Sequence, residues 1–306
     1  MGNAIVMSHM QLSDIVQIES TLAAGHSSTV FKAWHKRLQK HVAVKKQTYA
    51  EKVDIEIKHL EAEALKSIKS MYVPYVFDFL TEGSESYTIL EFIEGESLDK
   101  PLIRGQKFSR KQIIKWYKQL ALALDAIHKR DVYHRDIKPA NIILMPNGDV
   151  CLIDFNSAYI TGMKALQFSR SKGYASPEQL AIFHRYKSTQ TFTGTQAFTQ
   201  SKIEISQPEH DGKTELIQSQ LPRPEISTPT DIDWARSDIY SLGATMRHLF
   251  TGTQHSNLVN KTTSSQAAKK DTHSVMGIIH KSTRPKPTER FKNSEQLLAA
   301  LRNVNK

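Results

Sequence analysis

Along the first third of the chain apolar residues come in short runs separated by polar ones. Ile18 and Leu22 precede a run of small residues, Ala23-Ala24-Gly25-His26-Ser27-Ser28, and Val30-Phe31 and Val42-Ala43-Val44 follow it. That pattern predicts short strands joined by a small-residue loop. The period then changes: Ile55, Leu60, Ala64, Leu65 and Ile68 recur at roughly 3.6 and predict a helix over residues 50–70. Tyr75–Leu80 and Tyr87–Phe92 read as two antiparallel strands with Gly83 in the turn between them. Residues 1–11 show no period and are set aside as a tail.

Beyond residue 96 the pattern is mainly helical. Ser109 and Gln112 form a capping box ahead of Ile113, Ile114, Trp116, Tyr117, Leu120, Leu124 and Ile127, a long apolar helix ending at His128. Ile142–Leu144 and Val150–Ile153 read as a hairpin about Asn147-Gly148. Asp238 opens a predicted helix over Ile239–Thr251, stopped by Gly252, and residues 273–281 and 293–302 supply the last helices. Residues 182–230 are rich in Thr, Ser, Gln and Pro and poor in apolar residues, which predicts a flexible insertion. Residues 303–306 form a short tail.

With 306 residues the chain has room for one large domain or two lobes, and 39% apolar with 24% charged residues marks a globular protein. No run reaches the roughly 18 apolar residues of a membrane span, and the N-terminus lacks a signal-peptide core. The single cysteine, Cys151, excludes an internal disulfide framework and a multi-cysteine metal site. Its apolar neighbours indicate a buried strand position, and a reducing, cytoplasmic setting is expected. A net charge of +10 raises nucleic acid or acidic partners as possibilities. The lysines are scattered, however, without the interleaved aromatics of a nucleic-acid groove, so no nucleic acid is expected. The oligomeric state is left open.

The densest chemistry lies in His134-Arg135-Asp136-Ile137-Lys138-Pro139-Ala140-Asn141, followed by Asp154-Phe155-Asn156 and Gly173-Tyr174-Ala175-Ser176-Pro177-Glu178. Upstream, Val42-Ala43-Val44-Lys45 places a lysine at the end of a strand; Lys46 beside it falls on the opposite face by strand alternation. Together these segments resemble the catalytic domain of eukaryotic-like Ser/Thr protein kinases of the bacterial type. The resemblance covers roughly residues 12–302. It implies an α+β, bilobal protein-kinase-like fold, with a small antiparallel β-sheet N-lobe carrying one major helix (12–95) and a larger, mainly helical C-lobe (96–302).

The resemblance further implies ATP, with Mg2+ or Mn2+, as cofactors and transfer of the γ-phosphoryl group to Ser or Thr of protein substrates, autophosphorylation included. Asp136 would orient the attacking hydroxyl, Lys138 neutralise the γ-phosphate, and Asn141 and Asp154 hold the metal. Lys45 would grip the α- and β-phosphates and pair with Glu61, for which Glu63 is the alternative. Leu22, Ala23, Gly25, Val30, Ala43, Leu90, Glu91, Ile93 and Ile143 would line the nucleotide site, with Leu90 guarding the pocket and backbone groups of Glu91 and Ile93 on the adenine edge. Glu178 would pair with Arg290, and Asp238 brace the catalytic loop. Arg135 is the type of arginine that binds a phosphorylated activation segment, whose acceptor would be Thr161, Ser169 or Ser171.

Three departures stand out. Only Gly25 survives of the glycine-rich loop, Asn156 replaces a glycine, and the 182–230 segment intervenes before Asp238. Asn tolerates positive φ, so the turn at Asn156 is expected to survive. The same resemblance leaves open a pseudokinase scaffold or nucleotide-binding regulator, and a small-molecule phosphotransferase. Ser176-Pro177-Glu178 and Arg290 favour a protein-directed enzyme.

Overall fold

The computed structural model describes residues 11–25, 28–49, 52–162, 168–184, 214–217, 232–254 and 274–304. The chain divides into two compact units, Met1–Glu94 and Gly95–Lys306.

The first unit begins with the short helix α1 (Leu12–Ile15) and the strands β1 (Val16–Ala24), β2 (Ser28–His35) and β3 (Lys40–Thr48). Helix α2 (Lys52–Lys66) and strands β4 (Val76–Glu82) and β5 (Glu85–Glu91) complete it. The strands form one antiparallel sheet in the order β1-β2-β3-β5-β4. Alternation along the strands gives the sheet two different faces. Ala33, Val42, Val44, Tyr87 and Ile89 form an apolar layer with Ile15 and Val16, and Phe31, Phe77 and Leu80 pack at its edge. Lys45 lies on the other face. Its cross-strand neighbours are Val30 and Thr88, and the row continues to Ala23 on β1 and Phe79 on β4. Helix α2 covers that second face: the His59 ring packs on Phe79 at 5.4 Å.

The second unit opens with β6 (Glu96–Ser97), α3 (Asp99–Ile103) and α4 (Arg110–His128). The capping box at Ser109 forms as the sequence requires, with Gln112 N–H donating to Ser109 Oγ at 3.3 Å. Buried Ile113, Trp116, Tyr117, Leu120, Leu124 and Ile127 make α4 the axis of the unit's core. Next come β7 (Val132–Tyr133), β8 (Ile142–Leu144), β9 (Val150–Leu152), β10 (Tyr159–Ile160) and β11 (Phe168–Ser171). A helix over 177–184 (α5) follows, then β12 (Thr214–Ile217), α6 (Trp234–Thr251), α7 (Val275–Ser282) and α8 (Ser294–Arg302). Tyr117 Oη bonds Ser282 Oγ at 2.7 Å and ties α4 to α7.

One expectation changes here. Helix α6 starts at Trp234 rather than after Asp238, because Asp233 caps it by accepting the Arg236 N–H at 3.1 Å; Asp238 is therefore inside the helix and wholly buried. Its end is as expected, with Gly252 left-handed at φ 70°. Within the segment expected to be a flexible insertion, Thr214–Ile217 is a strand that pairs antiparallel with Phe168–Ser171. Most of the remaining 182–230 segment, like His26 and Ser27 of the small-residue loop, lies outside the described residues.

Candidate active site

The second unit concentrates charged groups on the loop between β7 and β8. Asp136 is 6% exposed, and its carboxylate is held by donors from Lys138, Asn141 and Ser171. Lys138 Nζ lies 3.0 Å from Oδ2, Asn141 Nδ2 donates to the same oxygen at 3.0 Å, and the Ser171 hydroxyl donates to Oδ1. Lys138 Nζ also donates to Ser171 Oγ at 3.3 Å, so Ser171 bridges the two charged residues. At 3% exposure Ser171 is enclosed in this network rather than offered to solvent as a phosphate acceptor.

The loop is fixed from distant parts of the chain. The Asp238 carboxylate accepts the N–H groups of His134 and Arg135, each at 2.8 Å, and approaches His128 Nε2 at 3.0 Å. Gln179 Nε2 donates to the Arg135 carbonyl at 2.7 Å, and Thr245 Oγ1 to the Ile137 carbonyl at 3.2 Å. No motif marks His128, Gln179 or Thr245, each an ordinary polar residue on a helix outside the loop. The His134 side chain packs: its ring meets Phe155 edge-on at 4.7 Å, and Nε2 lies 3.0 Å from the Ile153 carbonyl.

Asn141 and Asp154 are brought together through the backbone. The Ile153 N–H donates to the Asn141 carbonyl at 2.9 Å, which puts Asp154 one residue beyond that bond. Asn141 spends its amide N–H on the Asp136 carbonyl at 2.8 Å and on its carboxylate, so Oδ1 is turned the other way. The left-handed residue of the Asp-Phe-Asn turn is Asp154 at φ 66°, not Asn156. Asn156 stays at negative φ and donates its N–H to Asp154 Oδ1 at 3.3 Å. A glycine is not needed at position 156 because the strained backbone sits two residues earlier.

Arg135 is tied into the fold by its own side chain. It is 3% exposed, its guanidinium donates to the carbonyls of Ser157 and Ala158, and it lies over the rings of Tyr159 and Trp234 at 5.7 and 5.2 Å. The faces of both rings present negative potential to the guanidinium. Glu178 and Arg290 do pair, at 2.6 Å, with the Arg290 side chain fully buried.

In the first unit, Val30, Ala43, Lys45 and Leu90 fall on one sheet face, since Ala43 pairs with Leu90 and Lys45 with Val30 and Thr88. Ala23 joins them as the partner of Val30, and Leu22 occupies the bulge just before it, 47% exposed. Gly25 closes the β1–β2 connection by donating its N–H to the Ser28 carbonyl at 2.8 Å. Glu91 ends β5 with its N–H on the Tyr75 carbonyl, and Ile93 follows it, part-buried. Lys46 is on the opposite face, 2.6 Å from Glu85. That contact, with the Tyr87 hydroxyl, holds the Glu85 carboxyl below the usual carboxylate range. In the second unit, Ile143 pairs with Ser97 and sits beside Gly95.

Helix α2 separates the two glutamate alternatives. Glu61 is buried, whereas Glu63 is half exposed and pairs with Lys66 at 3.5 Å. The ion pair that Glu61 makes among the described residues is with Lys58, one turn earlier on α2, rather than with Lys45.

Comparison with known proteins bears on this arrangement. A probable serine/threonine-protein kinase of Clostridium acetobutylicum is 31% identical over 175 residues, 55% of this chain and 27% of that protein. Serine/threonine-protein kinase PknL of Mycobacterium tuberculosis is 29% identical over 172 residues, covering 53% and 43%. CBL-interacting serine/threonine-protein kinase 20 of Arabidopsis thaliana is 25% identical over 234 residues, covering 76% and 44%. The chain thus spans under half the length of these relatives. The family model for the protein kinase domain matches residues 16–195. Asp238 and Arg290 lie beyond that match, yet both bond residues within it. Since the matched span is more than half of the 306 residues, the chain belongs to the protein kinase domain family.

Proposed function

We propose that this chain is an ATP-dependent Ser/Thr protein kinase. Protein kinases as a family use ATP with Mg2+ and act on proteins. The observation that carries the reading for this chain is the Asp136 carboxylate, enclosed and held by Lys138, Asn141 and Ser171. A carboxylate so fixed can accept the hydrogen bond of an incoming hydroxyl without reorganising, which is the form catalysis takes in phosphoryl transfer.

Asp136 orients the Ser or Thr hydroxyl, whose oxygen forms the new bond to the γ-phosphorus while the bond from that phosphorus to the bridging oxygen of ADP breaks. The hydroxyl proton passes toward Asp136. Lys138 offsets charge on the transferred group, and Lys45 carries the positive charge for the α- and β-phosphates. Asn141 Oδ1 and the Asp154 carboxylate are hard oxygen donors of the kind that suit Mg2+, and they would hold it. A bound magnesium ion supplies charge neutralisation for the phosphates. The adenine edge falls to the backbone at Glu91 and Ile93.

The test is incubation of the purified chain with γ-labelled MgATP and generic acidic and basic protein substrates, followed by phosphosite mapping. Label on Ser and Thr that disappears with Asp136→Asn supports the reading. Nucleotide binding without any transfer would instead indicate a pseudokinase regulator, and label confined to small molecules a small-molecule phosphotransferase.

A further inference from the structure

The sheet face that bears Lys45 is the face α2 covers, as the Ala23–Val30–Lys45–Thr88–Phe79 row and the Phe79–His59 contact establish. On α2 the residues turned inward include Lys58, Glu61 and Ala62. Lys58 is 6% exposed, an uncommon state for a lysine, and its ammonium bonds the Glu61 carboxylate. An enclosed carboxylate needs a cation, and this unit presents two to the same region: Lys58 from the helix and Lys45 from the sheet.

We propose that Lys58 is a positioning residue that competes with Lys45 for Glu61 and so sets how firmly Lys45 is oriented toward nucleotide phosphates. The proposal rests on the kinase reading above and assigns a role to a residue that no motif marks. In the described state Glu61 is held by Lys58. Rotation of the Glu61 side chain toward Lys45 leaves Lys58 to extend its ammonium along the helix to water, as long lysine stems allow. The two pairings are alternative states of one carboxylate, and nucleotide phosphates on Lys45 bias the balance between them.

The experiment compares the wild-type chain with Lys58→Met, Lys58→Arg, Glu61→Gln and the Lys58→Met/Glu61→Gln double variant. The readouts are the MgADP-induced shift in melting temperature, and KM for ATP separately from kcat. Lys58→Met is expected to enlarge the MgADP shift and lower KM for ATP by roughly 5-fold or more, the lower end of ordinary couplings between sites. Lys58→Arg restores wild-type values. In the Glu61→Gln background Lys58→Met changes neither quantity. A Lys58→Met protein with an unchanged or smaller MgADP shift, or a gain that persists without Glu61, overturns the proposal and leaves Lys58 a structural residue. Should Lys58→Met fail to fold, Lys58→Gln removes the charge while keeping a polar group, and the same outcomes apply. If MgADP shifts no variant and not the wild type, the kinase reading itself falls. If the wild type binds and transfers while Lys58→Met matches it, only the competition falls.

Discussion

Replacing Arg290 by methionine should be among the most damaging single changes in the second unit. All five guanidinium N–H groups are directed at acceptors. Nη1 donates to Glu178 Oε1 at 2.6 Å and the Arg236 carbonyl at 3.1 Å, Nη2 to Glu178 Oε2 at 2.9 Å and the Pro285 carbonyl at 2.8 Å, and Nε to the Arg284 carbonyl at 2.7 Å. The guanidinium also lies over the Tyr240 ring at 4.8 Å. Methionine fills much of the volume but leaves the Glu178 carboxylate, 17% exposed, without its cation. Removing one partner of a buried pair costs about 3–5 kcal/mol. For a unit of this size that corresponds to a fall in melting temperature of about 6–20 °C. Arg290→Lys keeps the charge but not the fork and should lose about 1–3 kcal/mol. Adding Glu178→Gln to Arg290→Met should recover part of the loss, because it removes the stranded charge. Calorimetry, following the transition that carries the second unit, measures all four proteins. A loss below about 1 kcal/mol for Arg290→Met, or no recovery in the double variant, would refute the reasoning.

Three further outcomes are expected. Asp136→Asn should lower kcat by about 10²–10⁴-fold, and Ser171→Ala, which removes the bridge between Asp136 and Lys138, by roughly 10- to 100-fold, with Ser171→Thr largely retaining it; steady-state kinetics on a phosphorylated substrate decides. Gly95→Ala should destabilise by about 1–3 kcal/mol in urea unfolding, since φ is +143° and an added Cβ would stand 2.2 Å from the Leu144 carbonyl oxygen; a neutral result would mean the backbone yields freely there. Stability should also fall as the solution is acidified through the histidine range. Burial lowers the pKa of His248 below 6.5, and burial with nearby Arg37 lowers His35, and with Arg247 and Arg284 lowers His280. The unfolded chain then binds more protons than the folded one below pH 6.5, so their contribution is complete above that value and declines beneath it. Melting temperatures rising from about pH 7 to 5.5 would contradict this.

Much of the candidate site was legible because its residues lie close in sequence. Asp136, Lys138 and Asn141 belong to one loop, and their contacts follow from its short span. Strand alternation separated Lys45 from Lys46, and the structure places them on opposite faces of the sheet. Local signals also located the capping box at Ser109 and the stop at Gly252, since each is decided by two or three neighbouring residues. What motif spacing did not reveal were the partners that side chains take in the fold. The glutamate pairing is one example: motif spacing points Glu61 at Lys45, but i,i+3 geometry on α2 puts Lys58 within reach first. The start of α6 is another: Asp233 caps the helix, while Asp238 lies buried inside it on the His134 and Arg135 N–H groups.

Arg135 shows how the unread residues bear on the chemistry. Arg135 and Asp154 are both left-handed, at φ 62° and 66°, and neither is a glycine. Such backbone costs about 1–3 kcal/mol at each position and persists only where the surroundings fix it. At Arg135 the fixing groups are the Asp238 carboxylate on its N–H, Gln179 on its carbonyl, and the Ser157 and Ala158 carbonyls with the Tyr159 and Trp234 rings about its side chain. These side-chain contacts help lock the strained residue immediately before Asp136. They also join that residue to the segment after Asp154 and to the first turn of α6. One buried cation thus fastens the loop before Asp136, the segment after Asp154 and the first turn of α6 at once.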